Sequence, residues 1–165
     1  MGWKNIDSMH PNGIIVRTAL EEAGVSGQIV ETEESSPTAV RAAEQLGVGV
    51  GQIANSLVFS ADGSPVLVLA SGAHKVDTDV IAGFLGAASV HRPDADFVRE
   101  HTGQPIGGVA PLGHPTRLTT IVDDALAQYD VVWAAGGHLH YVFPTTFDEL
   151  VAITGGTPLS VGVTP

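Results

Sequence analysis

The chain has no cysteine among its 165 residues. Disulfide scaffolds, thiolate zinc sites, iron–sulfur clusters and cysteine nucleophiles are therefore excluded. Aromatic residues are scarce, at 5%, so Val, Ala, Leu and Ile must fill the core. Basic residues are scarce too. Seven Lys plus Arg stand against 18 Asp plus Glu, a formal net charge of −11. Such a surface repels a polyanion, which argues against DNA and against broad contact with any nucleic-acid backbone. A small pocket that takes only the end of an RNA remains compatible with it. No apolar run approaches the roughly 18 residues of a membrane span. Met1-Gly2-Trp3-Lys4-Asn5 is not followed by the apolar region of a signal sequence. The expectation is a cytoplasmic protein with no membrane contact.

Hydrophobic residues make up 44% of the chain, charged residues 15%, and the mean hydropathy is +0.22. These values predict one folded domain over residues 1–165. Twenty Gly and ten Pro predict frequent turns between short elements. Ile14, Val16, Ala19, Leu20 and Ala23 form a helical stripe over 11–23, stopped by Gly24. Gln28 to Thr32 reads as a short strand. Ser36-Pro37 reads as the N-cap and first position of a second helix, ended by Gly47. Ile53–Ser60 and Val66–Ala70 are apolar strands joined by an Asp62-Gly63 hairpin turn. Their continuous apolar runs predict burial on both faces.

Further along, Asp77–Leu85 and Asp94–His101 read as helices, with a short strand at Ser89–Arg92 between them. Thr119–Val122, Asp130–Ala135 and Tyr141–Phe143 read as strands. Thr146 with Glu149 predicts a capping box for a helix through Ile153. Leu159–Val163 reads as a terminal strand. Hairpins mixed with short helices predict an α+β fold without regular βαβ alternation.

Gly47-Val48-Gly49-Val50-Gly51 follows a helix and precedes a strand, the wrong order for a dinucleotide loop, and reads as a helix-ending turn. The Gly-x-Ser-x-Gly elbow of serine hydrolases is absent, and Ser71-Gly72 lacks its first glycine. The alternate spacing of His138-Leu139-His140 places two imidazoles on one face. With His114 they form a possible metal set, but two polar histidines beside a Gly-Gly bend read more simply as hydrogen-bonding residues, and no metal or other cofactor is assigned. Gly107-Gly108-Val109-Ala110-Pro111-Leu112-Gly113-His114 lies in a Gly/Pro-rich segment, 103–115. Such a loop either turns its N–H groups toward a carbonyl or carboxylate oxygen, or is a connection without a ligand; composition leaves both open.

The order of segments adds a resemblance. Thr38-Ala39-x-x-Ala42-Ala43-x-x-Leu46-Gly47 precedes Gln52-Ile53-Ala54-Asn55-Ser56-Leu57-Val58-Phe59. Ser71-Gly72 with Asp77 follows, then Gly107–His114. Last come Trp133-Ala134-Ala135-Gly136-Gly137-His138 and Phe147-Asp148-Glu149-Leu150 before Thr154-Gly155. This series resembles the YbaK/prolyl-tRNA editing domain family, also called the aminoacyl-tRNA synthetase-associated domain, over about residues 10–163.

The resemblance implies a mixed α+β fold around a barrel-like sheet with short helices about it. It also implies trans-acting hydrolysis of the ester of a mischarged aminoacyl-tRNA, of the type Ala or Cys on tRNA(Pro). The implied partners are the tRNA acceptor end and, with it, an aminoacyl-tRNA synthetase. The family strand motif Ile-x-Lys-Ser/Thr-Leu-x-Phe carries a pocket lysine where this chain has Asn55, a departure that implies weaker tRNA binding, a changed substrate or lost activity. Lys75 or Arg117 is a possible replacement cation. By the resemblance Asn55, Gly107, Gly108 and His138 are the expected catalytic positions. Thr38, Ser71, Gly72, Pro111, Gly113, His114, Gly136 and Gly137 are expected to contact substrate. A non-catalytic binder of an aminoacyl-adenosine, an amino acid or a protein in the same pocket is the alternative reading.

Overall fold

A computed structural model of the protein describes residues 9–163. Five helices are present among these residues: α1 (Pro11–Glu22), α2 (Ala39–Leu46), α3 (Thr78–Leu85), α4 (Ala95–Thr102) and α5 (Phe147–Thr154). The strands are β1 (Val30–Glu31), β2 (Ile53–Ala61), β3 (Ser64–Ser71), β4 (Lys75–Val76), β5 (Val90–His91), β6 (Thr119–Asp123), β7 (Val132–Ala135), β8 (Tyr141–Thr145), β9 (Thr157–Leu159) and β10 (Gly162–Val163). Eight strands form one mixed sheet in the order β1-β8-β7-β2-β3-β6-β9, with β5 on β2; β4 and β10 pair separately. The β2–β3 hairpin is the centre. β7 runs parallel to β2, and β6 parallel to β3. The fold is the mixed α+β class that the sequence predicts.

Strand alternation builds two cores. Leu67 and Leu69 face one way, with Val16, Leu20, Val122, Phe143 and Leu150. Val66 and Val68 face the other, with Phe59, Ile81, Ile121 and Val161. The central strands are apolar at every position because both of their faces are covered. A third, smaller cluster joins Ala42 and Ala43 of α2 to Ile53. Their small side chains bring the helix close to the first residue of β2, and this sets one wall of the cleft described below.

Helix ends follow the expected chemistry, with two corrections. Thr38, Asp77, Asp94 and Thr146 cap helices through their side chains, and Gly47, Gly86, Gly103 and Gly155 close them in the left-handed conformation. The cap of α2 is thus Thr38 and not Ser36. Ser36 is tied elsewhere: its N–H donates to Leu139 O, and its hydroxyl accepts from Gln45 Nε2. At α5 only half of a capping box forms, because the Glu149 carboxylate takes the Thr145 hydroxyl. The terminal strand is also two strands: β9 extends the main sheet beside β6, whereas β10 pairs with β4.

One buried polar node ties the strand ends together. Asp123, 0% exposed, closes β6. Its Oδ2 accepts from the Ser71 N–H at 3.0 Å and lies 2.8 Å from His74 Nδ1, while Oδ1 accepts from the Ala125 N–H at 3.0 Å. Replacing it leaves two backbone donors and an imidazole without their acceptor. Asp123→Ala is expected to lower the unfolding free energy by roughly 3 kcal/mol. Chemical denaturation checks this, and an unchanged midpoint would contradict the role given to the carboxylate.

Candidate functional site

A cleft opens where β2 and β7 begin and end beside each other. Ile53 to Ser56 of β2 and Trp133 to Ala135 of β7 form its floor. The segment Ser36–Thr38 and the first turn of α2 form one wall; Gly107 and Val109 form another. His138, Leu139, Tyr141 and Val142 complete the lining. No Asp, Glu, Lys or Arg is among the lining residues. His138 and Tyr141 are its titratable side chains.

The Gly/Pro-rich segment is ordered by side-chain hydrogen bonds in place of regular structure. The Thr102 hydroxyl accepts from Gln104 N–H and donates to Val98 O, and the buried Gln104 carboxamide accepts from Ala110 N–H at 2.7 Å. Gly107 has φ +88, and a Cβ there would lie 2.8 Å from Pro37 O. A Cβ on Gly108 would lie 2.9 Å from the His138 carbonyl carbon. Two glycines are therefore needed for the loop to press against both neighbours. Gly108 N–H donates to Pro105 O, so it is not available to a ligand. Gly107 N–H makes no hydrogen bond among the described residues.

The opposite end is a bend between β7 and β8. Gly136 N–H donates to Tyr141 O, and Tyr141 N–H donates to His138 O. Gly137, at φ +95, packs against Val16 and Asn12 of α1. This presents the His138 ring between two others: His10 at 4.8 Å and His140 at 5.7 Å between ring centroids. Tyr141 lies 5.1 Å from it. Burial, and then the charges of His10 and His140, hold the His138 pKa below the ordinary imidazole value. Its Nδ1 accepts from His140 N–H at 3.3 Å, which places the proton of the neutral ring on Nε2.

Thr38, Asn55, Gly107 and His138 thus line one cleft, although 100 positions separate the first from the last. The Asn55 carboxamide makes no hydrogen bond among the described residues. Gly108, Gly136 and Gly137 shape the walls without lining it. Ser71 and Gly72 stand behind the floor. Ser71 is buried with its hydroxyl donating to Gly51 O, and Gly72 N–H donates to Ile53 O. Pro111, Gly113 and His114 line a different cavity with Arg117 and Thr154.

The histidines 114, 138 and 140 are not brought together, and among the described residues no three His, Asp or Glu side chains are placed to hold a metal ion. Lys75 lies in β4, and Arg117 donates to Ile153 O at the end of α5. Neither lines the cleft. Sequence reasoning missed Ser56, Trp133 and Tyr141 as lining residues and His10 as the neighbour of His138. For His10 no local signal existed; it precedes His138 by 128 positions.

His114 is half-buried, with Nε2 2.8 Å from Ala110 O. Burial lowers its pKa, against a smaller opposing contribution from that hydrogen bond. The folded pKa values of His114 and His138 therefore lie below 6.5. Below pH 6.5 the unfolded chain takes up these protons first, so stability falls as pH drops from 6.5 toward the folded values. Thermal unfolding between pH 8 and pH 5 is expected to show this loss, and His114→Gln is expected to reduce it. An equal loss in the variant would contradict the assignment.

Comparison with known proteins identifies the family. Residues 33–153 match the aminoacyl-tRNA editing domain. The chain is 34% identical over 137 residues to YwhH, an uncharacterized protein of Bacillus subtilis (strain 168), covering 82% of this chain and 86% of that one. It is 32% identical over 81 residues to a proline–tRNA ligase of Citrifermentans bemidjiense, covering 49% of this chain but only 14% of the ligase. Among solved structures, a candidate trans-editing enzyme for prolyl tRNA synthetase superposes with a TM-score of 0.88 at 38% identity, covering 94% of this chain and 99% of that one. The chain belongs to the aminoacyl-tRNA editing domain family.

Proposed function

We propose that the protein is a trans-acting deacylase that hydrolyses the ester of a mischarged aminoacyl-tRNA, of the prolyl-tRNA editing type with a small residue such as Ala or Cys. The observation that carries this reading is the convergence of Thr38, Asn55, Gly107 and His138 on one narrow cleft without fixed charge. The cleft offers about 30 Å³ on the measure by which one water needs about 10–15 Å³, room for two or three water-sized groups.

The chemistry asked of these residues is modest. Water adds to the ester carbonyl carbon, the acyl bond to the ribose oxygen breaks, and that oxygen takes a proton. The products are a free amino acid and a tRNA with a free terminal hydroxyl. The free Gly107 N–H is the donor available to the carbonyl oxygen as negative charge develops there. Asn55 and Thr38 offer neutral donors and acceptors to a ribose hydroxyl or the attacking water. His138, neutral at pH 7 with its proton on Nε2, donates to an oxygen of the substrate. No carboxylate or amine lines the cleft to act as a base, so rate comes from positioning and polarisation, with the substrate's own groups carrying the proton. The tRNA and the synthetase enter as the substrate and an expected partner.

Asn55 weakens the activity without removing it, because the carboxamide hydrogen-bonds but supplies no charge. A deacylation time course on tRNA(Pro) charged with Ala, Cys, Ser or Thr, against Pro-tRNA(Pro), tests the proposal. Selective hydrolysis of one mischarged species is expected. Asn55→Lys is expected to raise kcat/KM by roughly tenfold, about 1.4 kcal/mol, the worth of one charge-assisted hydrogen bond. No turnover of any species by the native chain, with turnover only in Asn55→Lys, would make the native protein a binder of the same ligand.

A further inference from the structure

The cleft contains no Lys or Arg, and the chain carries a formal net charge of −11. A nucleotide bound there needs its phosphate neutralised by some other group. The row His10, His138, His140 runs from the cleft, which His138 lines, out to the exposed His10. Each ring is anchored by the same atom. His10 Nδ1 accepts from Asn12 N–H at 3.1 Å, His138 Nδ1 accepts from His140 N–H at 3.3 Å, and His140 Nδ1 lies 3.1 Å from Thr32 O. All three Nε2 atoms are without hydrogen-bond partners among the described residues.

The anchors also fix the tautomers. A ring whose Nδ1 accepts carries its neutral proton on Nε2. His10 and His138 therefore offer Nε2–H donors without being charged. His140 donates Nδ1–H to a carbonyl and offers an Nε2–H only when protonated. Two fixed donors and one conditional donor in a row of rings suit a tetrahedral oxyanion better than a cation, which needs free lone pairs.

We propose that the His10–His138–His140 row holds the 5′-phosphodiester of the terminal nucleoside whose ester lies in the cleft. The proposal rests on the deacylase reading for the position of that ester. Burial and the neighbouring imidazoles disfavour a charged His138 in the empty protein. A bound phosphate supplies the missing counter-charge, so binding takes up protons and strengthens as pH falls. The other groups around the row are the Tyr141 hydroxyl, which accepts from His10 N–H, and the neutral Thr32, Thr38 and Asn55. Glu31 stands opposite Tyr141 in the β1–β8 register.

The test is binding of two non-hydrolysable probes by calorimetry at pH 8 and pH 6. One is 3′-alanylamino-3′-deoxyadenosine. The other is the same molecule carrying a 5′-methylphosphodiester, whose single charge does not titrate in this range. The phosphodiester is expected to bind more tightly, by about tenfold at pH 6 and by less at pH 8. His138→Gln keeps a donor but cannot take up the proton, and is expected to flatten the pH dependence of that increment, while His10→Gln and His140→Gln are each expected to shrink the increment itself. Equal binding of the two probes at both pH values overturns the phosphate assignment and leaves the cleft reading standing. An equal loss for both probes in His10→Gln also overturns it, in favour of base stacking on the rings. Failure of both probes to bind overturns this assignment and the deacylase reading together.

Discussion

The buried carboxylate of Asp123 is the contact on which the cleft end of the sheet depends. It receives the Ser71 N–H at the last residue of β3 and the Ala125 N–H just past β6, and it pairs with His74. Ser71 stands opposite Ala54 in the β2–β3 register, so the node fixes the strand that carries Asn55 one position later. The Ser71 hydroxyl extends the same network to Gly51 O, and Gly72 N–H extends it to Ile53 O. A carboxylate removed from water is costly unless fully hydrogen-bonded. Here its partners come from separate strand ends, and satisfying it brings those ends together.

The positions singled out as a substrate site divide by this logic. Ser71 and Gly72 act from behind the floor, while Thr38, Asn55, Gly107 and His138 face the opening. The glycines at 107, 108 and 137 answer to steric demands from Pro37, His138 and Val16. Nothing in the cleft is a strong base or a fixed cation. The same scarcity of basic residues that argued against broad nucleic-acid binding is visible at the scale of the site, whose lining holds an imidazole but no ammonium or guanidinium group.

Much of this was legible in the residue order. The apolar runs at 53–60 and 66–70 gave away strands covered on both faces, and Asp62-Gly63 marked their turn. Short-range chemistry was legible at Thr146, which caps α5 though only half of the predicted box forms, because a cap depends on residues within one turn. It was read two residues early at Ser36, where Ser-Pro imitates a cap but Gln45 and Leu139 claim the serine. Leu159–Val163 has the pattern of one strand, yet two different partners divide it. Long-range contacts left no local trace. His10 meets His138, Tyr141 meets His10, and His74 meets Asp123 only because the sheet order places their segments side by side. The loop at 103–115 announced its irregularity through Gly and Pro, but not which of its N–H groups stays free.

In the deacylase reading the aminoacyl ester sits between Gly107, Asn55 and His138. NMR gives the sharpest check of that position, following the backbone and side-chain amide signals as the non-hydrolysable 3′-alanylamino-3′-deoxyadenosine is added. The largest shifts are expected on the Gly107 N–H, the Asn55 carboxamide and the backbone at 138–140. Shifts centred instead on Pro111–Arg117, around the separate cavity that holds His114, would contradict it.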